Sequence, residues 1–344
     1  MVGRAFLARM GIDPYLFALI GAVALAALVP ARGPAEAAIH YAVTGAVALL
    51  FFLYGARLSA QAVIEGLMHW RLQSLVLAST FILFPLLGLA AAAAARPLLP
   101  ADLALGLLYA CVLPSTVQSS IAFTAIARGN VPAALCSASV SNLFGVVATP
   151  ALVALLMTSQ SGGFSFKALE DVALQLLAPF AAGQLCRPLI GPWLGGHKRL
   201  TSFVDRGSIL LIVYAAFSEG MVAGVWSQLS WTSLALVLAL DCLILAVALV
   251  ATTLLSRQLG FSKPDEIAIV FCGSKKSIAS GIPMASILFP GQAISLIVLP
   301  LMLFHQIQLF ACAILAQRYA RRPVEPPAGE AWPPPADEGA LETD

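Results

Sequence analysis

Ala268-Ile269-Val270-Phe271-Cys272-Gly273-Ser274-Lys275-Lys276-Ser277-Ile278-Ala279-Ser280-Gly281-Ile282-Pro283-Met284 is the stretch that decides how the whole chain is read. Two adjacent lysines stand in the middle of an apolar segment that runs from 264 to 289. If that segment crosses a membrane, each lysine costs about 2.5–3.5 kcal/mol at mid-bilayer on insertion scales. From such depth neither ammonium easily reaches water by stretching its aliphatic stem. Gly273, Gly281 and Pro283 loosen the helix around them. Neighbouring residues on a helix point about 100° apart, so both lysines share one cavity only if the backbone opens. If the lysines instead lie in a loop, each flank is a half-span of about ten residues, which is itself the pattern of a discontinuous membrane helix. Gly-Ser-Lys-Lys-Ser shares letters with a phosphate-binding loop, but no Gly precedes Lys276 and no strand leads into it.

Composition says that lipid is the solvent. Of 344 residues 60% are hydrophobic and 10% charged, with mean hydropathy +0.91, against about 45–50% and about 25% in soluble domains. Within lipid only helices and closed barrels satisfy the backbone. The apolar runs here are long and do not alternate, so the chain is an all-α membrane protein. Spans are predicted near 15–31, 38–56, 72–95, 100–127, 131–157, 168–190, 202–225, 231–256, 264–289 and 292–318. The net charge of +2 forms no basic stripe, which argues against nucleic acid as a partner. Cysteines 111, 136, 186, 242, 272 and 312 all fall in apolar segments without metal-ligand spacing and read as small buried residues.

Lys and Arg set the orientation. With a cytoplasmic N-terminus (1–14), the inner side collects Arg4, Arg9, Arg57, Arg71, Arg128, Arg187, Lys198, Arg199, Arg206, Arg257, Lys263, Arg318, Arg321 and Arg322. Only Arg32, Arg96 and Lys167 fall outside. One miscounted span would scramble that split, so it supports an even count and two cytoplasmic termini. The run after Arg9 ends near an Ala35-Glu36-Ala37 cleavage-like site, but its apolar core exceeds the 7–15 residues of a signal peptide. Residues 322–344 are Pro-rich and acidic and are expected to form a disordered cytoplasmic tail. The protein is thus expected to be multi-pass in a bacterial inner (plasma) membrane.

Ten spans divide into repeats of five, 15–157 and 168–318, and an odd number per half forces the second to be inverted. An internal echo pairs Ser120-Ile121-Ala122 with Ser277-Ile278-Ala279, in the fourth span of each half. The fourth span is interrupted by Pro114, followed by Ser115, Thr116, Gln118, Ser119 and Ser120. A proline removes a backbone donor. Unwound backbone at membrane depth survives where it faces protein or a water-filled cavity, and its carbonyls and half-helix ends can hold ions. A proline kink patched by hydroxyls is the competing reading. Ser137, Ser141 and Asn142 share the next span; Asp241 is the one deep carboxylate, a counter-ion or proton carrier; Thr80 precedes Pro85; and His305-Gln306 could join helices.

At the two interrupted spans, with Tyr54-Gly55-Ala56-Arg57-Leu58-Ser59 and Gly129-Asn130-Val131 in support, the sequence resembles the bile acid:sodium symporter superfamily. The closest resemblance is to its bacterial symporter-like branch, which carries Gly-Ser-Lys-Lys-Ser in the ninth span. The likeness covers roughly residues 10–320. It implies an inverted five-plus-five fold with panel and core domains, whose broken fourth and ninth spans cross at mid-membrane. Sodium-coupled members bind two sodium ions there. Their fourth-span ligands match Ser119 and Ser120, fifth-span hydroxyls match Ser137 and Ser141, and a third-span Gln falls on Thr80. In the ninth span their Glu-x-Gly-x-Gln-Asn becomes Phe271, Lys275 and Lys276, so two cations stand where an acidic ligand is expected.

The expected function is secondary transport of a small organic anion, coupled to Na⁺ or H⁺. Ser115, Thr116, Gln118, Ser119, Ser120, Ser137, Ser141, Asn142, Ser274, Lys275, Lys276, Ser277, Thr80 and Asp241 are the candidate substrate and ion residues, with Ser119, Ser120 and Ser137 the candidate sodium ligands. The alternative is a membrane regulator or assembly factor that kept the fold without transporting. His-Glu-x-x-His and Gly-x-Ser-x-Gly are both missing from the sequence, which places an enzyme last.

Overall fold

The computed structural model describes residues 14–57, 69–157, 166–224, 229–290 and 292–322. Residues 1–13, the tail beyond Arg322, and Leu58 and Ser59 of the supporting motif lie outside the described residues. The described chain is helical throughout. Its helices are α1 (Pro14–Leu28), α2 (Pro34–Arg57), α3 (Trp70–Ala95), α4 (Ala101–Val112), α5 (Val117–Ile126), α6 (Val131–Leu156), α7 (Phe166–Gly196), α8 (Lys198–Val222), α9 (Trp231–Gln258), α10 (Lys263–Gly273), α11 (Ile278–Leu288) and α12 (Ile294–Ala320). Helices α2, α3, α6, α8, α9 and α12 are each long and apolar enough to cross a membrane. Helices α4 and α5, bent by 60° at a short break, make a seventh such element. Leu185, Leu189 and Trp231 are at least 80% exposed, which suits lipid and not water.

Two interruptions of equal length organise the centre. Residues 113–116 separate α4 from α5, and residues 274–277 separate α10 from α11. The equal gaps correct the register of the internal echo. Thr116 and Ser277 hold equivalent places, immediately before the second half-helix, whereas Ser120 lies inside α5. Three shared letters had pulled the match four residues along.

A third irregularity lies in α3. It widens to a π-turn over Ser79–Leu83, where the Phe84 N–H donates to the Ser79 carbonyl five residues back. The next residue, Pro85, has no N–H to offer the Thr80 carbonyl. Elsewhere close packing relies on small residues: a Cβ on Gly183 of α7 would collide with the Phe52 carbonyl of α2, and one on Gly55 of α2 with the Phe180 carbonyl of α7. The two helices therefore touch backbone to backbone. At the α5–α6 turn Asn130 caps α6 through Ala133 N (3.0 Å) and donates to Asp265 Oδ1 of α10 (2.7 Å), tying the two interrupted segments together at one end.

Candidate functional site

Breaking α4 frees carbonyls that would be costly to leave bare in a dry interior. Each finds a donor. Cys111 O and Leu113 O accept from Lys276 Nζ at 2.7 and 2.8 Å. Val112 O accepts from Thr149 Oγ1 of α6 at 2.8 Å, and Pro114 O from Ser277 N at 2.9 Å. Ser115 O accepts from Asn142 Nδ2 at 2.7 Å, while Ser115 N donates to Ser141 Oγ at 3.1 Å. The second break is treated alike. Gly273 O accepts from Ser79 Oγ at 2.8 Å, Phe271 O from Ser120 Oγ at 3.0 Å, and Val270 O from Ser274 Oγ at 2.6 Å. The Gln308 side chain of α12 holds both peptide groups of one residue, accepting from Lys276 N at 2.9 Å and donating to Lys276 O at 3.0 Å. Asn142 also accepts from Ser280 Oγ of α11 at 3.0 Å, and Tyr109 of α4 donates to Gly281 O at 2.6 Å. The two interrupted segments thus lie against each other, and polar side chains from α3, α6 and α12 hold them there.

The two lysines part company at the opening. Both are fully buried. Lys276 Nζ also donates to Thr80 O at 2.9 Å and sits 4.2 Å from the centre of the Phe84 ring. Lys275 Nζ has no hydrogen-bond partner; it stands 3.9 Å from the Phe123 ring centre and 5.6 Å from that of Phe271. Asp241 is 1% exposed, and among the described residues both its oxygens lack partners and it forms no ion pair with either lysine. Among the described residues, a lysine–Asp241 pair is therefore not among the contacts that hold the interruptions.

A cavity of about 740 Å³ opens beside the two interruptions. The starts of both second half-helices face it: Thr116, Val117, Gln118 and Ser119 from α5, and Ser277, Ile278, Ala279 and Ser280 from α11. Thr116 makes no side-chain cap, which leaves the first N–H groups of α5 uncapped by it. Asn142 and His305 add polar edges, Phe51, Val146 and Met284 an apolar wall. Arg57, Asp205 and Arg206 complete the lining, with Arg57 holding Asp205 through two bonds of 2.6 and 3.2 Å.

The structure therefore sorts the candidate residues. Thr116, Gln118, Ser119, Asn142 and Ser277 line the cavity. Ser115, Ser120, Ser141 and Ser274 lie behind it, making the bonds that hold the breaks, and Ser137 Oγ is buried without a partner. Thr80 contributes its carbonyl, its hydroxyl being turned back onto Val76 O. Neither lysine lines the cavity. The hydroxyls of Ser119 and Ser120 turn apart, onto Thr116 Oγ1 and Phe271 O, and the fully buried Phe271 supplies no charge. The donor set there does not fit a sodium site with an acidic ligand. Sequence reasoning missed Thr149 and Gln308, choosing the neighbouring His305-Gln306. It also counted Arg57 and Arg206 only as inner-side charges, although both line the cavity. For Gln308 the available signal was an amide in an apolar helix three residues past His305, whose ring nitrogen it meets at 2.8 Å.

A family model described as SBF-like CPA transporters matches residues 13–321. The chain belongs to this family. It is 54% identical over 311 residues to the uncharacterized protein PA2026 of Pseudomonas aeruginosa, covering 90% of this chain and 93% of that one. It is 50% identical over 311 residues to the candidate symporter YfeH of Escherichia coli K12, covering 90% and 94%. Sodium/bile acid cotransporter 7 of Danio rerio is 27% identical over 315 residues, again covering 90% and 94%. These relationships agree with the resemblance carried by the ninth span. The protein is a multi-pass membrane protein of a transporter family and not an enzyme.

Proposed function

We propose that the protein is a secondary active transporter that moves a small organic anion by alternating access, driven by an ion or proton gradient across a bacterial inner membrane. On this reading ten spans form two inverted repeats of five, 15–157 and 168–318, with both termini in the cytoplasm. One observation carries the proposal: two half-helix N-termini converge on one cavity that also holds Arg57 and Arg206. Each N-terminus presents roughly half a positive charge; at α5, which Thr116 leaves uncapped, the first N–H groups are ready donors to an anion, whereas at α11 Ser277 Oγ already accepts from Ser280 N. The apolar wall of Phe51, Val146 and Met284 suits the hydrocarbon part of an amphipathic anion, and the bile acid in the name of the Danio rerio relative is such a molecule. Lys275 acts at one remove, because the Phe123 ring that it stacks on lines the cavity. Asp241, buried without a partner, is the carboxyl available to carry a coupling proton.

The test is uptake by the full chain reconstituted in vesicles, using radiolabelled organic anions from small carboxylates to taurocholate. Inward Na⁺, inward proton and no gradient are compared. Gradient-driven accumulation of one anion, falling at least about tenfold (about 1.4 kcal/mol) in Arg206→Gln and weakened in Lys275→Ala with expression intact, supports the proposal. Accumulation untouched by Arg206→Gln sinks the anion site, and no accumulation under any gradient favours a regulator that kept the fold.

A further inference from the structure

We infer that the carbonyl oxygens of Thr80, Cys111 and Leu113 form a monovalent-cation site, which the chain fills with its own Lys276 ammonium. All three oxygens lie 2.7–2.9 Å from Lys276 Nζ. A carbonyl only accepts, so three such contacts require three hydrogens on the nitrogen, and a neutral amine has two. The group in the cage is therefore –NH₃⁺. Its charge meets no carboxylate. The Phe84 ring, 4.2 Å away, presents its negative face instead. Carbonyl dipoles replacing the hydration shell of a small cation are the chemistry of monovalent-ion sites in membrane proteins.

The cage arises from three local interruptions. Pro85 withholds the N–H that the π-turn would have brought to Thr80 O. Helix α4 stops at Val112, and Ser115 N turns to Ser141, which frees Cys111 O. Leu113, extended at φ −78° and ψ 155°, aims its carbonyl out of helical register. Oxygens from α3 and from the first break are thus focused on one point, and the ion that joins them hangs from the second break. A diffusible ion there could leave and couple to a gradient. A tethered ammonium cannot leave as a metal ion does, so this cage is a strut between the two breaks, and any Na⁺ or K⁺ that drives transport binds elsewhere.

Thermal unfolding of the purified full-length protein, titrated with ammonium, methylammonium, K⁺ and Na⁺ chlorides against choline at constant ionic strength, tests this. The readout is stability and not uptake, so it stands whether or not the cavity binds an anion. Wild type, its cage already filled, is expected to gain nothing from ammonium or methylammonium beyond choline. Lys276→Ala should melt lower and regain on the order of 3 °C, saturably, with methylammonium or another small cation. A folded Lys276→Ala protein that ignores every small cation, or a wild type that shows the same saturable rise with methylammonium, would overturn the inference. Lys276→Met matches the side chain in length without its charge. It should be destabilised and insensitive to added cation. A melting temperature equal to that of wild type would show that the three carbonyls need no cation, and would overturn the inference even if the alanine variant does not accumulate.

Discussion

Gln308→Leu is the substitution that most sharply probes how the second break is held. Gln308 is fully buried, and its amide alone meets both the N–H and the C=O of Lys276, at 2.9 and 3.0 Å. Leucine of similar volume keeps the packing of α12 but orphans two peptide groups. A buried polar group stripped of its partner costs about 1–3 kcal/mol, so the variant should lose about 2–6 kcal/mol. With no water at this depth to replace the amide, the upper half of that range is expected. For a chain of this size the loss corresponds to a fall in melting temperature on the order of 5–10 °C. The assay is tryptophan fluorescence during heating of the purified protein, with Gln306→Leu, two residues earlier on the same helix, as the control. A Gln308→Leu protein melting within about 2 °C of the control would refute the reasoning, because the open backbone at 274–277 would then have other partners.

Thr149→Val, nearly isosteric, leaves Val112 O bare and should cost about 1–3 kcal/mol in the same melting experiment; no change would mean that another donor reaches that carbonyl. Gly183→Ala drives a methyl into the Phe52 carbonyl, and because backbone cannot yield as a side chain does, it should cost about 1–3 kcal/mol or more. Fluorescence-detected size exclusion would show it as lost monodisperse protein, while Gly195→Ala, whose Cβ would meet nothing within 4 Å, should behave as wild type. Arg57→Leu leaves Asp205 unpaired in the cavity lining, where its charge opposes an anionic ligand, so uptake should fall more than stability.

The helices and the two openings were legible because they follow from local chemistry. Apolar runs long enough to span lipid, Pro114, and two lysines where charge is expensive all speak through their immediate neighbours. What the lysines touch was not legible. Lys275 and Lys276 are adjacent in the chain, yet one ammonium rests on Phe123 and the other reaches Thr80, 196 residues away, through a carbonyl that every residue type carries. Hydrogen bonds to backbone oxygens leave no trace in residue identity, so the cage could not be anticipated. Thr149 and Gln308 were passed over for the same reason: their partners are carbonyls and amides exposed only because a distant helix is broken. Arg57 and Arg206 were counted only as inner-side charges, since sequence gives the side of the membrane but not that the end of α2 and a residue within α8 line one cavity.

Access to Gln118 is the most direct measure of the central claim that this cavity moves between the two sides of the membrane. Gln118 is exposed and lines the cavity at the start of α5. A Gln118→Cys variant, with the native cysteines replaced, would be reconstituted and treated with a membrane-impermeant thiol reagent from one face at a time. Alternating access predicts labelling from both faces, slowed by any transported anion. Labelling from one face alone, under every gradient and ligand tried, would contradict the account.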